Sequence, residues 1–158
     1  MKALILLGSN QSNPKEQLKL ANVRIAEIAM IERASALYKT AAWGKTDQDD
    51  FYNQAIIIDT KLDADELMLA LLAIERSMGR ERLEKWSARI IDIDIILIDG
   101  LIHESEVLSV PHPHMQSRRF VLAPSEEIAA EMIHPIYQKN IKTLLAECND
   151  ELMVEKIM

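Results

Sequence analysis

The segment Arg89-Ile90-Ile91-Asp92-Ile93-Asp94-Ile95-Ile96-Leu97-Ile98 limits the possible folds more than any other part of the chain. Its isoleucines are stiff at Cβ and favour extended backbone, so the segment reads as a strand. Apolar side chains fall on both faces, and a strand of that kind is expected to be central in its sheet and covered on both sides. Asp92 and Asp94 interrupt it. Two residues apart on a strand, they leave the same face. Two carboxylates there repel each other and lose hydration, at a cost of several kcal/mol each if nothing compensates. Compensation can come from nearby arginines and backbone groups. It can also come from one or two hard divalent ions, because Mg2+ takes a couple of carboxylates together with water and substrate phosphates.

The rest of the chain supplies partners for that strand. Residues 2–7 form a short apolar run ended by Gly8, a second strand. Asn13-Pro14 reads as an N-cap with proline at the first helical position, and an apolar stripe continues to about residue 30. Residues 33–40 alternate through Ala34, Ala36, Tyr38 and Thr40, and residues 51–60 are rich in isoleucine; both predict strands. Asp63 caps a helix with Leu67, Leu71, Ile74 and Met78 on its apolar face, and Gly79 stands where a helix C-terminal glycine belongs. Residues 41–50 and 80–88 lack a period and read as loops. The order strand, helix, strand, strand, helix, strand predicts an α+β, ferredoxin-like βαββαβ core. Its antiparallel sheet carries helices on one face. A C-terminal extension follows, with short helices expected near 124–132 and 139–147. One domain is expected over residues 1–158.

Charge narrows the partners. The formal net charge of -7 disfavours nucleic acid, whose phosphates are bound by Lys and Arg. Cys148 is the only cysteine, so no intrachain disulfide forms. The apolar start is too short for a signal-peptide core or a membrane span, which predicts a cytoplasmic protein with no membrane partner.

Against this acidic background, Arg76, Arg80, Arg82, Lys85 and Arg89 gather just before the acidic strand, and Arg118 and Arg119 form a smaller cluster. Arginine forks suit phosphate oxygens. Glu75, Glu81 and Glu84 are interleaved, so a solvated, salt-bridged loop is an alternative for the first cluster. Basic loop and paired acids together give the electrostatics of a nucleotide–Mg2+ site. The glycines, Gly8, Gly44, Gly79 and Gly100, make no Walker P-loop, so side chains must hold any phosphate. Phe51, Asn53 and Phe120 could hold a flat heterocycle, or the two rings could be core packing. His112, between Pro111 and Pro113, suits a phosphate contact better than a zinc site, which lacks further ligands at metal spacing. His103 and His134 read as surface turns. Glu75, near a helix C-terminus, is expected to pair with an arginine.

Several blocks occur in a telling order: Leu7-Gly8-Ser9-Asn10, Phe51-Tyr52-Asn53-Gln54-Ala55, Lys85 to Ile96, Val110-Pro111-His112 and Arg118 to Pro124. In these residues the chain resembles the 6-hydroxymethyl-7,8-dihydropterin pyrophosphokinases of folate biosynthesis. The resemblance implies transfer of a diphosphate from ATP to the pterin hydroxymethyl group, with release of AMP. It implies that Asp92 and Asp94 hold two Mg2+ ions and that Arg80, Arg82 and Arg89 serve the transfer. It groups Glu75, Arg80, Trp86, Arg89, His112 and Arg118 around ATP. Phe51 and Phe120 would sandwich the pterin, with Asn53 and the backbone from Thr40 to Ala42 reading its edge. A monomer acting on small molecules is implied. The alternative is a ferredoxin-like binding or regulatory module without chemistry, or a kinase that moves only the γ-phosphoryl group.

Overall fold

The computed structural model describes residues 1–40, 50–79 and 90–157. The elements that build the frame are β1 (Lys2–Ser9), α1 (Pro14–Ile25), β2 (Met30–Ala34), β3 (Tyr38–Thr40), β4 (Phe51–Asp59), α2 (Ala64–Ser77) and β5 (Asp92–Ile98). Smaller elements follow: hairpin strands β6 (His103–Glu104) and β7 (Ser109–Val110), then α3 (Arg119–Ala129). A second hairpin, β8 (Ile133–His134) and β9 (Lys139–Asn140), leads into α4 (Ile141–Glu147) and β10 (Val154–Lys156). The main sheet is antiparallel and six-stranded, in the order β10-β3-β4-β1-β5, with β2 also paired to β4.

Alternation along the strands sorts the apolar residues onto two faces. Ala3, Ile5 and Leu7 of β1, Ile56 and Ile58 of β4, and Ile93 and Ile95 of β5 pack with Leu18, Ala21 and Ile25 of α1 and Leu67 and Leu71 of α2. Leu4 and Leu6 of β1 and Ala55 of β4 face the other way, against Val121, Leu122 and Ile128 of α3 and Ile141 and Leu144 of α4. Helices were expected on one face; the C-terminal extension in fact supplies a second layer on the other. The sheet is therefore closed on both sides, which is what its apolar strands require.

Several boundaries depart from the sequence reading. The first helix ends at Ile25, and Met30 already pairs with Asp59, so Ile28 and Ala29 pack on the core from a turn. Asn13 sits in the left-handed region with φ 61° and makes no side-chain cap, although Pro14 does open the helix. The single strand expected over 33–40 is two strands along one edge of β4. Between them Ser35 turns its hydroxyl inward, where Oγ accepts from the Ala55 N–H at 2.9 Å. The third helix begins at Arg119, ahead of Pro124, which lies inside it. His134 is not in an exposed turn: it is buried, its Nδ1 accepts from the backbone of Ile136 and Tyr137 at 3.2 Å each, and its ring stacks on Tyr137.

Other expectations hold. The second helix starts with Asp63, whose Oδ1 accepts from the Glu66 N–H at 2.9 Å while the Glu66 carboxylate accepts from the Asp63 N–H at 3.0 Å. Gly79 follows its end with φ 89°, a conformation that favours glycine. No helix among the described residues is long and apolar enough to cross a membrane.

Candidate functional site

The acidic strand lies at the edge of the sheet, not in its centre. Its apolarity reflects two covered faces, and its outer edge is also closed in part. The buried Glu75 of α2 accepts from the Ile93 N–H at 2.7 Å, between the two aspartates. Further along, the His112 N–H donates to the Ile96 carbonyl at 2.9 Å. Ile96 is the extra residue of a β-bulge, because Leu4 pairs with Leu97 and Ile5 with Ile95. The bulge changes which face each side chain takes. Asp92, Asp94 and Ile96 share the α3 side, and beyond the bulge Leu97 takes it over. At the strand's entrance the Ser9 hydroxyl donates to the Ile90 carbonyl in a short contact that ties the end of β1 to the start of β5.

Register then assembles a row across the sheet. Gly8 of β1 pairs with Asp92 on one side and Asn53 on the other, and Asn53 pairs in turn with Tyr38. Directly paired residues share a face, so Asp92, Gly8, Asn53 and Tyr38 all point toward α3. The next row toward the sheet end pairs Phe51 with Thr40, again on that face. Leu6 separates Asp94 from Ala55 one step inward. Asn53 is 4% exposed, and its Nδ2 finds no hydrogen-bond acceptor among the described residues. A buried amide left in that state costs about 1–3 kcal/mol, and such exceptions concentrate where a ligand completes the bonding. Thr40 Oγ1 donates to the Met153 carbonyl at 3.0 Å, just before β10 pairs with β3.

The extension brings the basic and aromatic groups. Arg118 precedes α3, and its guanidinium lies 5.9 Å from the centre of the Phe120 ring, which packs half-buried on the same face of the sheet. Burial pushes the Arg118 pKa down, and the charges of Asp94, Asp92 and Asp150 oppose that shift. The group stays charged at neutral pH, a cation set among three acids. Arg119 does not share this role. Its side chain donates to the Asp150 carbonyl at 3.0 Å and the Cys148 carbonyl at 2.9 Å, and its N–H to the Asp150 carboxylate at 3.0 Å. It fastens the C-terminal segment to the start of α3.

His112 is held by its backbone on the bulge and by its ring. Nδ1 accepts from the His114 N–H at 3.1 Å. Burial first, then the positive charge of Arg118 and the neighbouring His114, lower its pKa to about 4. The ring is therefore neutral at physiological pH, and with Nδ1 accepting, Nε2 carries the proton and can donate.

The structure thus brings Asp92, Asp94, Phe51, Asn53, Thr40, Arg118 and Phe120 to the α3 side of the sheet, with His112 beside the same strand. Glu75 reaches that strand from the helix face behind it, through a backbone N–H. Arg80, Arg82, Trp86, Arg89 and Ala42 lie outside the described residues. Gly8 and Tyr38 were missed as members of the site. Tyr38 donates to Glu127 of α3 at 2.7 Å, and burial together with that bond pushes its pKa up. The alternation of Tyr38 with Thr40 was the available signal.

Among the described residues no group of three or more His, Cys, Asp or Glu side chains could hold a metal. Two half-buried carboxylates on one face suit an ion that leaves most of its coordination to water and phosphate, as Mg2+ does, and do not suit zinc. The arrangement can hold a polyanion with divalent ions at the Asp92 end and a flat polar heterocycle at the Asn53 end.

Comparison with known proteins gives a consistent picture. The family model described as 7,8-dihydro-6-hydroxymethylpterin-pyrophosphokinase matches residues 4–130. The 2-amino-4-hydroxy-6-hydroxymethyldihydropteridine pyrophosphokinase of Aquifex aeolicus is 36% identical over 141 residues, covering 89% of this chain and 88% of its own. The protein of that name from Haemophilus influenzae is 36% identical over 155 residues, covering 97% and 96%. Among solved structures, the Plasmodium falciparum HPPK-DHPS crystallised with pteroate superposes with a TM-score of 0.73 at 16% identity. The match covers 92% of this chain, which spans only 42% of that one, and at this identity it speaks for the fold alone.

Proposed function

The chain belongs to the 7,8-dihydro-6-hydroxymethylpterin-pyrophosphokinase family, and from that premise we propose that it transfers the β,γ-diphosphate of ATP to 6-hydroxymethyl-7,8-dihydropterin. The hydroxymethyl oxygen attacks the β-phosphorus in line, the bond from that phosphorus to the α–β bridging oxygen breaks, AMP leaves, and the hydroxyl proton is released. The reaction belongs to folate biosynthesis.

The observation that supports this reading best is the cross-strand row. Asn53 and Asp92 flank Gly8 on one face, so a heterocycle reader and a phosphate-side acid stand two strands apart. Asp92 and Asp94 would hold Mg2+, two ions in this reading, which when bound neutralises phosphate oxygens and aligns donor with acceptor. Arg118 binds phosphate oxygens from the α3 side, and His112 donates from Nε2 without adding charge. Phe51 and Phe120 sandwich the pterin, and the Asn53 amide and the backbone of Thr40 and Ala42 read its edge. Arg80, Arg82, Trp86 and Arg89 complete the ATP side and the transfer. Glu75 serves the ATP side indirectly, by fixing the strand between the aspartates.

In this reading the βαββαβ core is ferredoxin-like, residues 1–158 form one pyrophosphokinase domain, and the enzyme works as a cytoplasmic monomer on small molecules only. Incubation with ATP, Mg2+ and the reduced pterin tests the reaction. AMP and the pterin diphosphate are expected in equal amounts. ADP would mean γ-phosphoryl transfer, and no nucleotide turnover would mean a binding module.

A further inference from the structure

A hydrogen at position 8 has a specific geometric reason. A β-carbon built on Gly8 would lie 2.6 Å from Asn53 Oδ1 and 3.7 Å from its Cγ. Real β-carbons essentially never approach an oxygen that closely, so the Asn53 amide lies across the space a side chain would occupy. Gly8 is otherwise ordinary strand backbone, paired on both sides, with no need for a left-handed conformation. The amide it admits is the one whose Nδ2 is buried without an acceptor among the described residues.

Asp92 lies on the far side of Gly8 from Asn53, two strands and roughly 9.6 Å away, beyond the reach of any displacement of that amide.

We propose that Gly8 is a positioning residue for the heterocyclic substrate, acting through Asn53. This deepens the pterin reading given above and rests on it. Any β-carbon at position 8 displaces the Asn53 amide. Heterocycle binding then weakens while nucleotide binding at the Asp92 and Asp94 end persists.

A double-mutant cycle tests this, using Gly8→Ala, Asn53→Ala and the double variant. The readouts are the equilibrium affinity for 6-hydroxymethylpterin in the presence of a non-hydrolysable ATP analogue and Mg2+, the affinity for that analogue alone, and Tm. Gly8→Ala is expected to weaken pterin binding at least tenfold and analogue binding by less than twofold. In the Asn53→Ala background the same change is expected to cost less than threefold, because the group it displaces is gone. Should Gly8→Ala fold poorly, the double variant is expected to regain the Tm of Asn53→Ala. Full additivity, unchanged pterin affinity in Gly8→Ala, or a double variant no more stable than Gly8→Ala would overturn the inference. Loss of pterin affinity in Asn53→Ala but not in Gly8→Ala would overturn it while leaving the pterin reading intact. Unchanged affinity in Asn53→Ala would instead sink the reading on which it rests.

Discussion

His112 joins two constraints that are easy to separate by experiment: its N–H is committed to the bulge at Ile96, and its Nδ1 to the His114 N–H. With its pKa lowered from 6.5 to about 4, chiefly by burial, the folded protein binds one proton fewer than the unfolded chain between those values. The stability held by the neutral ring is thus fully present above pH 6.5 and is lost as pH falls toward 4. The loss reaches roughly 3 kcal/mol at the limit. Urea unfolding of the wild type and His112→Gln between pH 7 and 4 checks this. The variant is expected to show a shallower fall. Because glutamine places an amide N–H near the Nε2 position, it is also expected to keep ATP affinity within a few fold, whereas His112→Ala loses tenfold or more. Equal slopes would refute the account of the ring.

Among the secondary elements, β5 shows what sequence does and does not encode. Its extended conformation and the shared face of Asp92 and Asp94 follow from local pattern, and the structure bears both out. Its place at the sheet edge does not, because face coverage and edge pairing are independent and only the first leaves an apolar signature. The site divides in the same way. The Asp pair, Phe51, Asn53 and Phe120 could be singled out by residue type and resemblance. The row through Gly8 could not, because register between β1, β4 and β5 depends on pairings more than forty residues apart. The break between β2 and β3 hides in alternation that continues through Ser35, whose role is visible only once Ala55 lies opposite. Pro124 concealed the true start of α3, since proline most often marks a helix's first turn.

The edge position also gives Glu75 a clear task. Removing its carboxylate strands a buried backbone N–H at Ile93, at a cost of about 1–3 kcal/mol. Glu75→Ala is therefore expected to lower unfolding stability by that amount, and Glu75→Gln, which keeps an acceptor oxygen, by less than half of it. Chemical denaturation of both variants measures the difference; equal losses would show that the bond to Ile93 is not what Glu75 supplies.

On the scale of the whole molecule, the C-terminal third completes both the sheet and the site. Its helices α3 and α4 cover the face that carries the row, Arg119 fastens Asp150 and Cys148, and β10 extends the sheet beyond β3. Tyr38 and Lys156 both reach Glu127, so α3, β3 and β10 are cross-linked there. Deleting residues 153–158 removes the acceptor of Thr40 and bares the edge of β3. That truncation is expected to lower Tm by several degrees and to raise KM for the pterin more than KM for ATP. A pterin KM equal to that of the full chain would separate the tail from the site.

Under the proposed function, Asp92 and Asp94, which share one face of β5, bind divalent ions together with a triphosphate. Mn2+ binding followed by electron paramagnetic resonance, with and without a non-hydrolysable ATP analogue, measures this in the wild type and in the Asp92→Asn/Asp94→Asn double variant. The account predicts tight Mn2+ uptake by the wild type when the analogue is present, weak uptake without it, and loss of the tight sites in the variant. Undiminished analogue-dependent Mn2+ binding in the variant would contradict it.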